Sequence, residues 1–227
     1  MTVVEISEAR LPAHEIVYRR LREQILFGEI APGQPVTIQG LTERLGAGMT
    51  PVREAIRRLT AEGALKFQGN RRVIVPLLTD KNIEEIIIAR KCLEGELARR
   101  ATERAGVEDL KALERIDLLL DQAITKGDLQ AYLEHNYRFH ERIYALADAP
   151  ILADLAEGLW LRFGPSLRVV CGRVGTQNLP DKHKDLLAAM LAGDLDAAGQ
   201  ANIDDMMQGM EQVRIMLARN PASDRFD

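Results

Sequence analysis

Histidine, asparagine and aspartate residues in the second half of this sequence have side chains that could coordinate a bound ligand. The chain has 227 residues and four histidines, at positions 14, 135, 140 and 183. Asn136 and His140 are four residues apart, so on a helix they share one face and can converge on one point. His183 begins a later predicted helix, and Asp205 lies on the last one. Spacing alone leaves open whether His140 is a ligand or a hydrogen-bonded histidine of the core.

Arg90 and Glu94 form a second chemically active pair, four residues apart. On a helix such a pair can form a surface salt bridge, worth about 0.2–0.5 kcal/mol. Alternatively, the arginine lies in a ligand pocket, next to its glutamate, and provides a positive charge there. In a pocket, an arginine binds the carboxylate of a small organic acid through two parallel hydrogen bonds. Arg162, close to the only tryptophan, Trp160, is a second candidate for the same role.

Basic residues are concentrated near the start of the chain. Residues 1–78 contain 11 basic and 8 acidic side chains, a net charge of +3, whereas residues 79–227 contain 19 and 26, a net charge of −7. The charge of the whole chain, −4, argues against a nucleic-acid partner, but the asymmetry between its two parts favours one. The alternative is that the basic residues form a solvated helix face.

Composition excludes several classes of protein. Hydrophobic residues make up 46% of the chain and charged residues 28%, a balance typical of a folded, helix-rich protein. The sequence lacks a run of about 18 apolar residues that would span a membrane, and its acidic N-terminus is unlike a secretory signal. Two cysteines, Cys92 and Cys171, are too few for a disulfide framework, so we expect both to be buried and the protein to be cytoplasmic.

Three helices are predicted before residue 64. Apolar residues recur at helical spacing in residues 14–28 and again in a short segment at residues 38–45. A turn at residues 46–48, which contains two glycines, separates the second helix from a third. We expect the third helix to begin with Thr50 as its N-cap and Pro51 at its first helical position.

The third predicted helix carries a basic face. Arg53 and Arg57, four residues apart, lie opposite the apolar residues of this helix. Two β-prone runs follow around a predicted two-residue turn, with Arg71 and Arg72 at the tip of the hairpin. Together these elements are typical of a winged helix-turn-helix, which places a basic helix in the DNA major groove and a hairpin tip at the phosphates or the minor groove.

The segment LTERLGAGMTPVREAIRRLTAEGALKF resembles the winged helix-turn-helix of GntR-type bacterial transcription regulators. The resemblance covers residues 14–76, and its most specific part is the PVREA core followed by Leu59 and an EG dipeptide. It implies that Arg53 contacts operator DNA. The residues expected at the DNA are Thr50, Arg53, Arg57, Arg71 and Arg72.

This sequence departs from the family at the start of the recognition helix. Gly48 and Met49 stand where the family usually has serine and arginine. Because methionine cannot pair with a phosphate, the resemblance implies weaker DNA binding or an altered base preference. Arg57, Arg71 and Arg72 would then make more of the phosphate contacts.

The rest of the chain is predicted to be entirely helical. Short breaks at glycine or proline separate the candidate helices, and no segment alternates as a strand does. These helices are residues 80–105, 107–126, 128–147, 150–171, 180–193 and 194–218. We therefore expect a mainly α protein. Residues 10–78 would form a winged helix-turn-helix DNA-binding domain, and residues 79–220 an antiparallel helical bundle for effector binding and dimerisation.

Three segments of this bundle resemble the all-helical effector domain, the FCD domain, of the FadR-type branch of the same regulators. They are IARKCLEGELA (88–98), NYRFHERIYALA (136–147) and HKDLLAAMLAGDLDAA (183–198). Many members of that branch bind a divalent metal through one aspartate or asparagine and three histidines. Matched by position, the ligands of this chain are Asn136, His140, His183 and Asp205, and Asp205 replaces the usual histidine.

The resemblance implies zinc or nickel in this site, although an amide oxygen is a weak ligand and lowers the affinity for either ion. Arg90 matches an arginine of the family's first effector-domain helix. In the alternative arrangement, Asp205 pairs with an arginine such as Arg90 or Arg162, and the pocket holds an organic ligand without a metal.

These features predict a ligand-responsive transcription regulator, most simply a repressor, that binds operator DNA as a homodimer and is not an enzyme. Its effector is expected to be a small organic acid, bound by Arg90 and Arg162 and through a divalent metal. The first alternative is a metal-free regulator with an acyl-type or other apolar effector. The second is a metal-dependent enzyme that uses the four residues of the metal site, in which a basic winged module would have no role.

Overall fold

The computed structural model describes residues 11–69, 71–174 and 182–218. These residues form two compact units. The first extends to Leu77 and also includes Leu161–Pro165, and the second contains the remainder from Leu78 onward. The expected fold class is confirmed, because the first unit is a three-helix module with a small sheet and the second is helical throughout its described residues.

The first unit is built around three helices with a shared apolar interior. Its elements are α1 (Ala13–Leu26), β1 (Val36–Thr37), α2 (Ile38–Leu45), α3 (Met49–Ala61), β2 (Lys66–Gln68) and β3 (Arg72–Ile74). Helix α3 packs on both α1 and α2. The residues of α1 that repeat at helical spacing, Val17, Leu21 and Ile25, are all buried, so the apolar periodicity seen in the sequence is the core-facing side of this helix.

The turn between α2 and α3 depends on two glycines. Gly46 ends α2 with a φ of 60°, a left-handed conformation that glycine adopts without steric cost. Gly48 is the N-cap of α3 in extended conformation and makes no side-chain capping hydrogen bond. The amide of Val52 donates to the carbonyl of Gly48 at 3.4 Å, which closes the first turn of the helix.

The prediction that Thr50 is the N-cap of α3 is therefore wrong. Thr50 is the second residue of the helix, and Pro51 is the third rather than the first. A proline is tolerated at that position because the first four amides of a helix have no partner within the helix. The helix begins earlier than expected because Gly48 takes up the N-cap backbone geometry even though it has no side chain to cap with.

The predicted hairpin is present, and it belongs to a three-stranded antiparallel sheet. Strand β3 lies in the centre, with β2 on one side and β1 on the other. Phe67 pairs with Val73 in the hairpin, and Val36 of β1 pairs with the same Val73. Strand β1 was not predicted because it has only two residues. Asn70, the second residue of the predicted turn, lies outside the described residues.

The second unit is a bundle of long helices. They are α4 (Asp80–Arg104), α5 (Val107–Lys126), α6 (Leu129–Leu146), α7 (Pro150–Val174), α8 (Lys182–Ala192) and α9 (Leu195–Ala218). Helix α7 contributes Leu161–Pro165 to the first unit. Each predicted helix is present with ends that differ by at most three residues. The segments 175–181 and 219–227, the first of which contains the predicted helix start at residue 180, lie outside the described residues.

Helices α4 and α9 approach each other closely at a pair of glycines. A Cβ atom on Gly95 would lie 2.8 Å from Cδ1 of Ile203, and one on Gly199 would lie 3.1 Å from the carbonyl oxygen of Gly95. The side-chain amide of Asn202 donates to the carbonyl oxygen of Glu94 at 3.0 Å. This contact holds the middle of α9, with Asp205 one turn further on, against α4.

Two smaller expectations have different outcomes. Cys171 is buried, but Cys92 is exposed, so the expectation that both cysteines are buried is wrong for Cys92. Cys92 lies on α4 two residues after Arg90, and a helix turns about 200° over two residues, so the two side chains face nearly opposite directions.

Within the described residues, no helix combines the length and the apolar character needed to cross a membrane.

Candidate metal centre and DNA-binding surface

Three residues predicted as metal ligands lie together in the interior of the second unit. His140, His183 and Asp205 have candidate ligand atoms that all lie within 4.8 Å of one another. The Nε2 atom of His140 is 3.0 Å from Oδ2 of Asp205, and the Nε2 atom of His183 is 3.8 Å from Oδ1 of Asp205. Both histidines are buried, and the Asp205 side chain is 17% exposed.

Three different helices bring these residues to one place. His140 lies on the buried face of α6, one turn before Tyr144. His183 is the second residue of α8, and its ring stacks on Phe139 with the ring centroids 4.0 Å apart. Asp205 comes from α9. The site therefore requires the folded bundle, since no two of its three members are neighbours in sequence.

Asn136, the fourth predicted ligand, lies one turn before His140 on the same helix and is half-buried. Its position is compatible with the shared face predicted from the sequence. In the described part of the chain, no hydrogen bond or ion pair joins Asn136 to the other three residues.

The charge of Asp205 is set by its neighbours. Burial would raise the pKa of this carboxyl, but the positive charge that His183 carries when protonated, the hydrogen bond and charge of His140 and the Arg90 guanidinium together outweigh burial and lower the pKa to about 2. Asp205 is therefore ionised at neutral pH. It bonds to a histidine rather than forming the arginine ion pair considered as an alternative.

The donor set and its spacing fit a first-row divalent metal. Zinc holds imidazole nitrogen and carboxylate oxygen at about 2.0–2.2 Å in a tetrahedral arrangement, which places neighbouring ligand atoms about 3.3–3.6 Å apart. The separations of 3.0 Å and 3.8 Å in this cluster are close to that range. Two imidazoles and a carboxylate are also ligands that zinc and nickel accept.

Asp117 is a buried acid next to the cluster that sequence reasoning missed. Its Oδ1 atom lies 3.1 Å from Nδ1 of His183. The sequence could have revealed Asp117 through its spacing. It occurs between Leu113 and Leu120, at helical spacing, on the buried face of α5. An acid among apolar residues on such a face indicates a specific buried partner.

Arg90 and Glu94 are also buried, which rules out the surface salt bridge considered for them. The Arg90 side chain is 1% exposed and that of Glu94 is 0% exposed. The Arg90 Nε donates to one carboxylate oxygen of Glu94, and Nη2 donates to the other at 3.1 Å. The guanidinium also lies over the ring of Trp160, 4.8 Å from its centroid, and Trp160 donates to the Tyr144 hydroxyl at 2.9 Å.

Arg162, the second predicted effector-binding residue, belongs to the segment of α7 that is grouped with the first unit. Its Nε donates to the backbone oxygen of Glu62 at 3.2 Å.

The first unit presents a row of arginines on α3 and the hairpin. Thr50, Arg53, Arg57, Arg71 and Arg72 are all exposed. Within the described residues, neither Arg53 nor Arg57 has a hydrogen bond or ion pair. Arg58, the neighbour of Arg57, instead bonds to Glu15 at 3.0 Å and Glu62 at 3.2 Å. Arg53 and Arg57 are therefore available to phosphates or bases, whereas Arg58 connects α1 to α3.

Known protein families match both units of the chain. The family "Bacterial regulatory proteins, gntR family" matches residues 13–75, and the FCD domain matches residues 85–208. The HTH-type transcriptional regulator McbR of Escherichia coli K12 is 31% identical over 193 residues, which is 84% of this chain and 87% of McbR. The transcriptional repressor RspR of the same strain is 25% identical over 221 residues, 97% of each chain.

Solved structures show the same architecture. The structure of E. coli McbR/YncC superposes with a TM-score of 0.83 at 29% identity, covering 92% of this chain and 99% of that one. A GntR regulator from Rhodococcus sp. RHA1, at 20% identity, shares the fold with a TM-score of 0.72, covering 88% of this chain and 97% of that one. The chain therefore belongs to the GntR family of DNA-binding transcription regulators, in the FadR-type group that carries an FCD domain.

Proposed function

We propose that this protein is a repressor whose operator binding is controlled by a small organic acid. Residues 10–78 would form the DNA-binding domain, and residues 79–220 the domain for effector binding and dimerisation. The observation that carries this proposal is the buried cluster of His140, His183 and Asp205, which lies inside the part of the chain that matches the FCD domain.

The DNA contacts are proposed to come from α3 and the hairpin. Arg53 and Arg57 project from the recognition helix without a partner among the described residues, so they can meet base edges and phosphates. Arg71 and Arg72 at the hairpin, and Thr50 in the first turn of α3, would add backbone contacts. One recognition helix reads too few bases for a unique site, so the protein is proposed to act as a homodimer on an inverted repeat.

Asn136, His140, His183 and Asp205 are proposed to hold a divalent metal, zinc or nickel. Such an ion would supply a Lewis-acidic coordination position for the carboxylate of an organic acid. Asp205 would contribute one negative charge to this site, and His140 and His183 would hold the ion through imidazole nitrogens. The Phe139 ring that stacks on His183 restricts the rotation of one of those imidazoles.

Arg90, on α4, is proposed to bind the carboxylate of the effector. Its guanidinium is already bound by Glu94, so an effector carboxylate at Arg90 would share the cation with that residue. Arg162 remains a proposed effector contact from the sequence alone, and its hydrogen bond to Glu62 does not support that role.

Metal analysis of the purified protein tests the proposed metal site. We expect about one zinc or nickel ion per chain, and His140→Ala should remove it. His135→Ala is the matched control, because His135 is on the same helix but points about 100° away from Asn136. Absence of metal from the unsubstituted protein, with the same effector affinity in His140→Ala, would contradict the metal site.

Two alternatives have distinct outcomes in the same experiments. A metal-free regulator with an apolar or acyl-type effector predicts no bound metal and a co-purifying lipid-like molecule, detectable by mass spectrometry. A metal-dependent enzyme predicts turnover of organic acids by the metal-loaded protein. The relatives described above are transcription regulators, which favours the regulator.

A further inference from the structure

Asp117 is a buried carboxylate that the proposed metal-binding set does not use. It lies on the core-facing side of α5, and its Oδ1 atom is 3.1 Å from Nδ1 of His183. A buried carboxylate is costly unless it is hydrogen-bonded. Within the described residues, the contact with His183 is the one that Asp117 makes. This contact therefore explains why an acid occupies a position between apolar residues.

The chemistry of the contact fixes where the proton of His183 lies. An ionised carboxylate can only accept a hydrogen bond, so Nδ1 must carry the hydrogen. In a neutral imidazole, Nε2 then has the lone pair. That atom faces the cluster, because it is 3.8 Å from Oδ1 of Asp205. Two acceptors that face each other at this distance are stabilised by a cation between them.

His140 provides an internal comparison. Its Nε2 lies 3.0 Å from Oδ2 of Asp205, whereas its Nδ1 is buried and has no hydrogen-bond partner among the described residues. No described group therefore holds a hydrogen on Nδ1 of His140. The two histidines of the cluster differ in that only His183 has its outer nitrogen bound to a carboxylate.

We propose that Asp117 is a positioning residue of the metal centre. By accepting the Nδ1 hydrogen of His183, it holds Nε2 in the lone-pair form and directs it toward His140 and Asp205. The Phe139 ring stacks on the face of the His183 imidazole, and Asp117 holds its edge at Nδ1. Carboxylates that bind the outer nitrogen of a metal-ligating histidine commonly contribute 10- to 100-fold to metal affinity. This inference rests on the metal site proposed above.

The first measurement needs no metal. Nitrogen-15 NMR of the histidines in the metal-free, full-length protein should show His183 with its hydrogen on Nδ1. In Asp117→Leu, which removes the acceptor, we expect His183 to change to the other tautomer or to a mixture. The signals of His140 should keep their pattern. A His183 hydrogen on Nε2 in the unsubstituted protein would overturn the inference.

The second measurement is zinc affinity, determined by competition with a coloured chelator. We expect Asp117→Leu to weaken zinc binding about 10- to 100-fold. Asp117→Asn retains an oxygen that can accept the hydrogen bond, so it should lose less and should keep the His183 tautomer. This conservative variant also keeps the test valid if the leucine variant folds poorly.

Asp121→Asn is the matched control. Asp121 lies one turn after Asp117 on α5, and its Oδ2 is 3.0 Å from Nζ of Lys184 on α8. It connects the same two helices, and among the described residues it forms no hydrogen bond or ion pair with His183. If Asp117→Leu weakens zinc binding no more than Asp121→Asn, Asp117 is not a positioning residue. If the unsubstituted protein binds no zinc or nickel, the metal site fails as well, so the two failures are distinguishable.

Discussion

Arg90 and Glu94 place opposite charges in the interior of the helical unit, where neither can exchange its partner for water. Burial would lower the pKa of Arg90, but the Glu94 carboxylate, together with Tyr144 and Asp205, more than offsets this and raises the pKa. The pair is also surrounded by Trp160 and Tyr144. A charged pair in such a place contributes little net stability by itself, but the loss of one partner leaves an uncompensated buried charge.

Glu94→Gln is therefore expected to destabilise the protein by about 3–5 kcal/mol. The matched control is Glu96→Gln, which breaks the exposed pair between Glu96 and Arg100 on the same helix. Its expected cost is below about 1 kcal/mol because water screens exposed pairs. Urea unfolding followed by circular dichroism measures both. Equal losses of stability in the two variants would contradict the argument.

At the residue scale, the interactions that could be predicted from the sequence were those between side chains at a fixed spacing on one helix. The i, i+4 rule predicted that Arg90 and Glu94 pair, but it could not predict their burial, because the spacing is the same on either face of a helix. The juxtaposition of His140 with His183 and Asp205 came from family resemblance, since it depends on three helices distant in sequence. Asp117 was missed because its partner is 66 residues away.

At the scale of elements, glycine and proline residues predicted the ends of the helices to within a few residues. The N-cap of the recognition helix, α3, was predicted wrongly. Its start was misplaced because an extended glycine can serve as N-cap without a side chain. The consequence is that Met49, not Thr50, is the first helical residue. Residues at the start of a recognition helix contact base edges, so we expect the identity of residue 49 to affect DNA recognition.

Met49→Arg is expected to tighten binding to operator DNA. The Met49 side chain is 46% exposed, so an arginine can extend into solvent there without disturbing the core. One additional phosphate contact should steepen the slope of log K against log[salt] by about 1. Fluorescence anisotropy with labelled operator over a range of salt concentrations measures both quantities. Unchanged affinity and slope would mean that residue 49 does not reach the DNA.

Arg57→Ala is expected to have the opposite effect. Its side chain has no partner in the described protein, so its removal should leave stability within about 0.5 kcal/mol while reducing the salt slope by about 1. Arg58→Ala, the adjacent control, removes the bonds to Glu15 and Glu62 and should change stability more than the slope. The same anisotropy titration, combined with thermal unfolding, distinguishes the two. An unchanged slope in Arg57→Ala would exclude this residue from the DNA contacts.

At the scale of the whole molecule, charge is divided between the two parts of the chain. The net charge of −4 combines +3 in residues 1–78 with −7 in residues 79–227. Non-specific DNA binding depends on the total field that the protein presents to the phosphates. The acidic part is therefore expected to reduce non-specific binding, and specific binding would then need additional contacts. A second copy of the basic module is the most direct source of such contacts.

Two chains are therefore expected to bind one operator. A duplex with two inverted half-sites, selected from random sequences with the full-length protein, should bind two chains. A duplex with one half-site should bind at least about 100-fold more weakly at physiological salt. Insertion of five base pairs between the half-sites rotates them by about half a turn and should abolish the advantage, whereas ten base pairs should restore part of it. Analytical ultracentrifugation gives the stoichiometry and anisotropy gives the affinity. If one chain binds a single half-site as tightly as two chains bind the repeat, the protein reads DNA as a monomer.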